Sequence, residues 1–175
     1  MKAYVIFGSP NPAGNTAAAV DSLLRQLGVA EWDRFSCFDR YVAPCCDCRC
    51  CGACSGCMIK DEFGKLEAGA RAADLLLFAY PLYFEGMPAP MKAVIDRMQQ
   101  FFYREKIHGR LPIGHAKAAA VVTMGGSRPP EPVPDGVLTF ASRALGALYV
   151  GHAVVRNTDT EPDCAELPIL AEKLL

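Results

Sequence analysis

Four short runs of almost unbroken apolar residues, at positions 3–7, 75–80, 118–124 and 148–155, constrain this chain more than any other feature of it. Each has strand length and is rich in Val, Ile or aromatic side chains, so each reads as a strand covered on both faces. A weaker run at 32–38 (WDRFSCF) alternates apolar and polar side chains, as a half-exposed edge strand does. Helical spacing fills the gaps. Ala17, Val20, Leu23, Leu24 and Leu27 form one stripe that Gly28 is placed to end. A second helix is expected over 61–73, with Asp61 and Glu62 at the positive end of its dipole. A third follows Pro88 and Pro90 and turns Met91, Val94, Ile95 and Met98 inward. Pro132, Pro134 and Asp135 introduce a fourth, to about residue 148, and 164–175 supplies a fifth. Strands that alternate with helices form parallel neighbours, since a parallel pair needs a crossover. The expected fold is an α/β doubly wound, five-stranded parallel sheet with helices on both faces, in a single domain over 1–175.

Leu, Ile, Val and Phe fill 43 of the 175 positions, enough for a packed core. The net charge of −1 provides no field to attract a polyanion, which argues against nucleic acid and anionic membrane as partners. The longest apolar run, residues 75–84, is far below the roughly 18 residues of a membrane span. The apolar stretch after Lys2 is too short for a secretory signal, so a cytoplasmic location is expected.

In a doubly wound sheet, ligands bind beyond the carboxyl ends of the strands. The loop after the first strand, residues 8–16 (GSPNPAGNT), joins a buried strand to an amphipathic helix and so offers free backbone N–H groups at a positive helix end. Ser9, Asn11, Asn15 and Thr16 add neutral donors and Gly14 lets the chain curl. Neither the Walker spacing nor G-x-G-x-x-G is present, which favours a monophosphate. The plainer reading is a turn capped by Asn15 or Thr16. After the third strand, Pro81, Leu82, Tyr83 and Phe84 form a stiff apolar lip against which a flat aromatic ligand can lie. The plainer reading there is core or an oligomer interface. His108, His115 and His152 are scattered and read as surface or core residues, and no catalytic acid or base is nominated.

Seven of the nine cysteines fall within residues 45–57. Without a signal, and with an odd count, this reads as metal binding or redox chemistry rather than a disulfide framework. Cys45, Cys48, Cys51 and Cys57 are spaced C-x2-C-x2-C-x5-C, close to cluster-binding spacing. Four thiolates suit an iron-sulfur cluster or tetrahedral zinc, and unmetallated thiols are the third possibility. Cys46, Cys50 and Cys54 are candidate substitute ligands or redox-sensitive thiols. Cys37 and Cys164 read as small core residues.

Three segments, GSPNPAGNT, PCCDCRCCGACSGCMIKDE and ADLLLFAYPLYFEGMPAPMKAVIDR, together resemble the flavodoxin-like NAD(P)H-dependent FMN reductase family, including the iron-sulfur flavoproteins. The resemblance implies that Ser9, Asn11, Gly14, Asn15 and Thr16 hold the FMN phosphate. It implies that Pro81, Leu82, Tyr83 and Phe84 line the isoalloxazine, with Gly125, Gly126 and Ser127 as a third flavin loop. Asn11 stands where that family often has Arg, so the phosphate would lean on backbone dipoles. The implied activity carries electrons from NAD(P)H to FMN and on to a small-molecule or redox-protein acceptor, with a possible 4Fe-4S cluster and a homo-oligomer. The other functions weighed are a flavodoxin-like electron carrier without reductase activity and a zinc-stabilised binding module.

Overall fold

A computed structural model describes residues 1–54, 56–109, 116–128 and 133–175, the side chain of residue 108 excepted. Pro132 and His115, and the side chain of His108, therefore lie outside the description. Five strands form one parallel sheet: β1 (Lys2–Phe7), β2 (Glu31–Ser36), β3 (Leu75–Pro81), β4 (Ala116–Thr123) and β5 (Ala147–Val155). Their order is β2-β1-β3-β4-β5. The chain thus moves outward from β1 to β2 and then crosses back to β3, so the order reverses between β1 and β3. That reversal opens the crevice in which such sheets bind ligands.

Alternate side chains of the central strands enter two separate cores. Ala3, Val5 and Phe7 of β1 and Leu75, Leu77 and Ala79 of β3 face α1 (Asn15–Gln26) and α7 (Glu166–Leu174). Tyr4, Ile6, Leu76, Phe78 and Tyr80 face α3 (Phe63–Arg71), α4 (Ala89–Arg97), α5 (Gln99–His108) and α6 (Asp135–Ala144). A short helix, α2 (Cys50–Ala53), lies within the cysteine segment. Full burial of each Leu or Phe contributes about 1.5–3 kcal/mol, which is why the unbroken runs are held at the centre of the sheet.

The helix α1 ends where its sequence says it should. Gly28 has φ +64°, and the N–H groups of Gly28 and Val29 close on the carbonyls of Arg25 and Leu24 at 3.1 and 3.0 Å. Three expectations are corrected. The third helical stretch is two helices, because the chain tightens at Met98, whose N–H bonds the Ile95 carbonyl at 3.0 Å. The run at 148–155 forms an edge strand rather than one buried on both faces, and Leu148 is 70% exposed. Cys37 is buried as expected, with its thiol pushed up to about 12 by burial, but Cys164 is exposed.

Candidate functional site

Hydrogen bonds knit the loops after β1, β3, β4 and β5 into one edge. The N–H of Gly8 donates to the Ala79 carbonyl (2.7 Å), that of Leu82 to Thr123 (2.8 Å), and that of Met124 to Val155 (2.9 Å). Asn157 N–H then reaches the Gly126 carbonyl at 3.1 Å. The cysteine segment packs on α5, where Gly52 lies against Tyr103 and Ile107.

In the first loop, the helix begins at Asn15 and its N-cap is Gly14, with no side-chain capping bond. The plainer reading of a turn capped by Asn15 or Thr16 does not hold, and the first-turn N–H groups of α1 are not covered by a side-chain cap. Thr16 is 3% exposed and its Oγ1 lies 2.7 Å from Thr123 Oγ1, tying the start of α1 to the end of β4. The Asn15 side chain donates to the Thr158 carbonyl at 2.9 Å. Ser9 Oγ accepts the Asn11 N–H (3.2 Å), and Asn11 Oδ1 accepts the Ala13 N–H (3.2 Å). A side chain at Gly14 would run into the Asn11 carboxamide, 2.8 Å from its Nδ2. The loop is a shallow cradle of main chain, small residues and neutral dipoles, which suits a phosphate.

One contributor escaped the sequence reading. Arg34, on the edge strand β2, donates to the Pro12 carbonyl at 2.9 Å and lies 5.1 Å over the Phe7 ring. The loop therefore has a cation beside it although Asn11 itself is neutral. No local motif announces Arg34, because it arrives through the pairing of Val5 with Arg34 across the sheet.

The lip is a tight turn. Tyr83 and Gly86 exchange N–H···O bonds of 2.9 and 3.0 Å, while Phe84 and Glu85 between them take φ of +49° and +59°. The Phe84 ring is fully exposed and Tyr83 half-exposed, whereas Pro81 and Leu82 are half-buried. Neither aromatic belongs to the core. In the third loop, a side chain at Gly125 would overlap the Asp159 carboxylate, so the turn after β5 reaches this edge only because residue 125 is glycine. Gly126 and Ser127 are close by and solvent-accessible.

Cys45, Cys48, Cys51 and Cys57 all line one small cavity, together with Cys46. Cys50 is turned toward Met58, with its Sγ 3.9 Å from the Met58 sulfur. The N–H of Cys50 and the neighbouring thiols pull the Cys48 thiol below its usual range, while burial raises that of Cys51. Among the described residues no three Cys, His, Asp or Glu side chains are gathered closely enough to hold a single ion. The inner wall of the cavity is formed by the buried Arg97, whose Nε has no partner.

A parallel sheet of this order, with an uncapped helix start facing an aromatic turn across the chain reversal, defines a flavodoxin-like protein. The chain belongs to the NADPH-dependent FMN reductase family, whose sequence pattern matches residues 1–161, and it is an oxidoreductase of that family. It is 29% identical over 156 residues to an iron-sulfur flavoprotein of Archaeoglobus fulgidus, covering 88% of this chain and 68% of that one. It is 30% identical over 123 residues to an iron-sulfur flavoprotein of Methanocaldococcus jannaschii, covering 67% and 64%. The chain thus spans about two-thirds of the length of these curated relatives. Among solved structures, an NAD(P)H:quinone oxidoreductase from Methanothermobacter marburgensis aligns at TM-score 0.65 and 15% identity, over 99% of this chain and 92% of the other. An FMN-dependent NADH-azoreductase from Bacillus anthracis, solved with FMN, aligns at 0.59 and 13%, over 99% and 95%. At that identity both likenesses speak to the fold. No helix among the described residues is long and apolar enough to cross a membrane.

Proposed function

We propose that the chain is one flavin-binding domain that holds one FMN and accepts electrons from NAD(P)H for delivery to a small-molecule or redox-protein acceptor. The observation that carries this reading is the uncapped start of α1 joined, through the Thr16–Thr123 hydroxyl pair and the Leu82–Thr123 bond, to an aromatic lip. Backbone N–H groups of 14–16, with the side chains of Ser9, Asn11, Asn15 and Thr16, receive the phosphate. Pro81, Leu82, Tyr83 and Phe84 carry the ring, and Gly125, Gly126 and Ser127 border it. When bound, FMN supplies the two-electron chemistry, and the protein orients the ring and keeps water from one face of it. FMN rather than FAD is expected, at about one per chain, because the cradle has room for one phosphate and no dinucleotide fingerprint is present. Extraction and chromatography of the flavin, followed by anaerobic mixing with NADH or NADPH, tests both halves. Recovery of FAD, or of no flavin after reconstitution with excess FMN, refutes the cofactor. FMN that neither nucleotide bleaches would leave an electron carrier without reductase activity.

The same proposal assigns Cys45, Cys48, Cys51 and Cys57 to an iron-sulfur cluster. The four thiols line a common cavity, and two relatives are named iron-sulfur flavoproteins, which supports the cluster over tetrahedral zinc. Iron and acid-labile sulfide are measured in protein prepared without oxygen, and one zinc per chain instead would make the segment structural. We also read the protein as a homo-oligomer, from the apolar groove between α4–α5 and α6 that carries the exposed Phe102 and Phe140.

A further inference from the structure

Arg97, the last residue of α4, is a buried cation that the flavin site does not use; its side chain is 2% exposed. Its Nη1 donates to the Ala43 carbonyl (3.0 Å) and to Asp61 Oδ2 (2.6 Å). Its Nη2 donates to the Ile59 carbonyl (3.2 Å) and to Asp61 Oδ1 (3.3 Å). Ala43 precedes the cysteine segment, and Ile59 and Asp61 follow it. One planar fork therefore fastens both ends of the loop, which a lysine, with its single ammonium, does not reproduce. The guanidinium is further set by the Phe63 ring, 5.2 Å beneath it.

Two of its nitrogens are thereby satisfied. The third, Nε, is buried and has no partner, and Cys57 lines the same small cavity as Arg97. A buried cationic donor without an acceptor is costly, and a thiolate sulfur is an acceptor. The other cations of the segment are differently placed. Lys60 donates to the Cys57 carbonyl at 3.0 Å, and the exposed Arg49 pairs with Asp47 at 3.3 Å in water, where its field is screened.

We propose that Arg97 is a positioning residue of the cysteine centre: it fastens the two flanks of the segment and presents its Nε–H to the Cys57 sulfur when that sulfur ligates the cluster. The second half rests on the iron-sulfur reading above. Hydrogen bonds to ligand sulfurs are among the levers that set cluster potentials, and they favour the more negative, reduced state. Arg97 accordingly raises the potential of the centre.

Wild type, R97K and R97Q are reconstituted anaerobically with FMN, iron and sulfide. All three should bind FMN with the same dissociation constant. The R97Q cluster should titrate at a more negative potential than wild type, with R97K between them. Pulsed EPR of the reduced cluster should show an exchangeable-proton coupling in wild type that R97Q lacks. In iron-free protein, trypsin should cut after Arg49 and Lys60 in R97Q faster by roughly tenfold or more, since an unfastened loop opens locally. A loaded R97Q with wild-type potential and coupling overturns the hydrogen-bond half, and unchanged cleavage overturns the fastening half. If R97Q binds FMN but no iron, the fastening role is supported and R97K supplies the potential. If R97Q does not fold, a wild-type potential and cleavage rate in R97K overturn the proposal. Wild-type protein that takes up no iron refutes the cluster itself, while the cleavage rates still decide the fastening.

Discussion

Thr16 is required twice, by the fold and by the proposed phosphate site. Thr16→Ala is expected to lower FMN affinity by roughly 1–3 kcal/mol, the cost of a charge-assisted contact left unmade. Its hydroxyl is also bonded to Thr123 in a buried pair, so the variant should lose stability as well. Thr123→Val separates the two effects: it removes the pair but leaves Thr16 in place, and should reduce stability while changing FMN affinity less. Titration of apoprotein with FMN, beside denaturant unfolding, reads both; an unchanged Kd in Thr16→Ala moves the phosphate elsewhere. Asp61 is the second residue to test. Burial would raise its carboxyl, but the hydrogen bonds of Arg97 and of the Ala43 and Phe63 N–H groups outweigh this and hold it below the ordinary value. Its folded pKa lies below its unfolded value of about 3.9, so its contribution is full above that value and is lost as pH falls through the folded one. Asp61→Asn leaves Arg97 buried and unpaired and should cost about 3–5 kcal/mol at neutral pH, with the gap from wild type closing in acid. A constant gap across pH 2–7 would refute the linkage. The sequence offered Asp61 as a helix-end charge, and it does accept the Phe63 N–H at 3.1 Å. Its main partner lies 36 residues away, and no local pattern carries such a pairing.

At the scale of elements, the turn at 84–85 is the place where local chemistry and observed backbone disagree. A two-residue turn with positive φ at both positions is ordinarily built from Asn-Gly, and Phe-Glu there costs about 1–3 kcal/mol. Prolines and glycines around it made a stiff lip legible in sequence, but the missing Asn-Gly signal hid the turn type. If the strain is kept to display Phe84, the double variant Phe84→Asn with Glu85→Gly should raise stability by about 1–2 kcal/mol and weaken FMN binding. Glu85→Gly alone should retain most of the affinity. Denaturant unfolding and flavin titration check this, and a double variant with undiminished FMN affinity would remove Phe84 from the ring site. The central strands were legible for the opposite reason, since Leu75, Leu77 and Phe78 have no other place than between two helical layers. The split at Met98 was not, because the apolar spacing of Met91, Val94, Ile95 and Met98 runs on into Phe101 without marking a change of direction. Edge position was equally hidden for β5: an apolar strand reads the same whether or not a further strand pairs beside it.

The uncovered surfaces turn this into a statement about the whole molecule. Phe140 is 71% exposed, Leu148 70% and Phe102 50%, and a groove of about 810 Å³ runs between α4–α5 and α6, bordered by Phe102, Val137 and Phe140. In the homo-oligomer proposed above, these exposed rings mark this face as the one a second copy of the chain should cover. Cys45 also borders the groove, which would bring the cysteine segment of one copy close to its neighbour. Light scattering of the wild-type protein should then give a multiple of the chain mass at micromolar concentration. Replacing both Phe102 and Phe140 by Glu should give the single-chain mass, since each apolar ring at the contact is replaced by a carboxylate that must be desolvated there. FMN content should be unaffected, because the phosphate loop and aromatic turn lie at the carboxyl edge of the sheet and not on this face. A wild-type protein that scatters as one chain, or a doubly charged variant that keeps the larger mass, removes this face from the assembly.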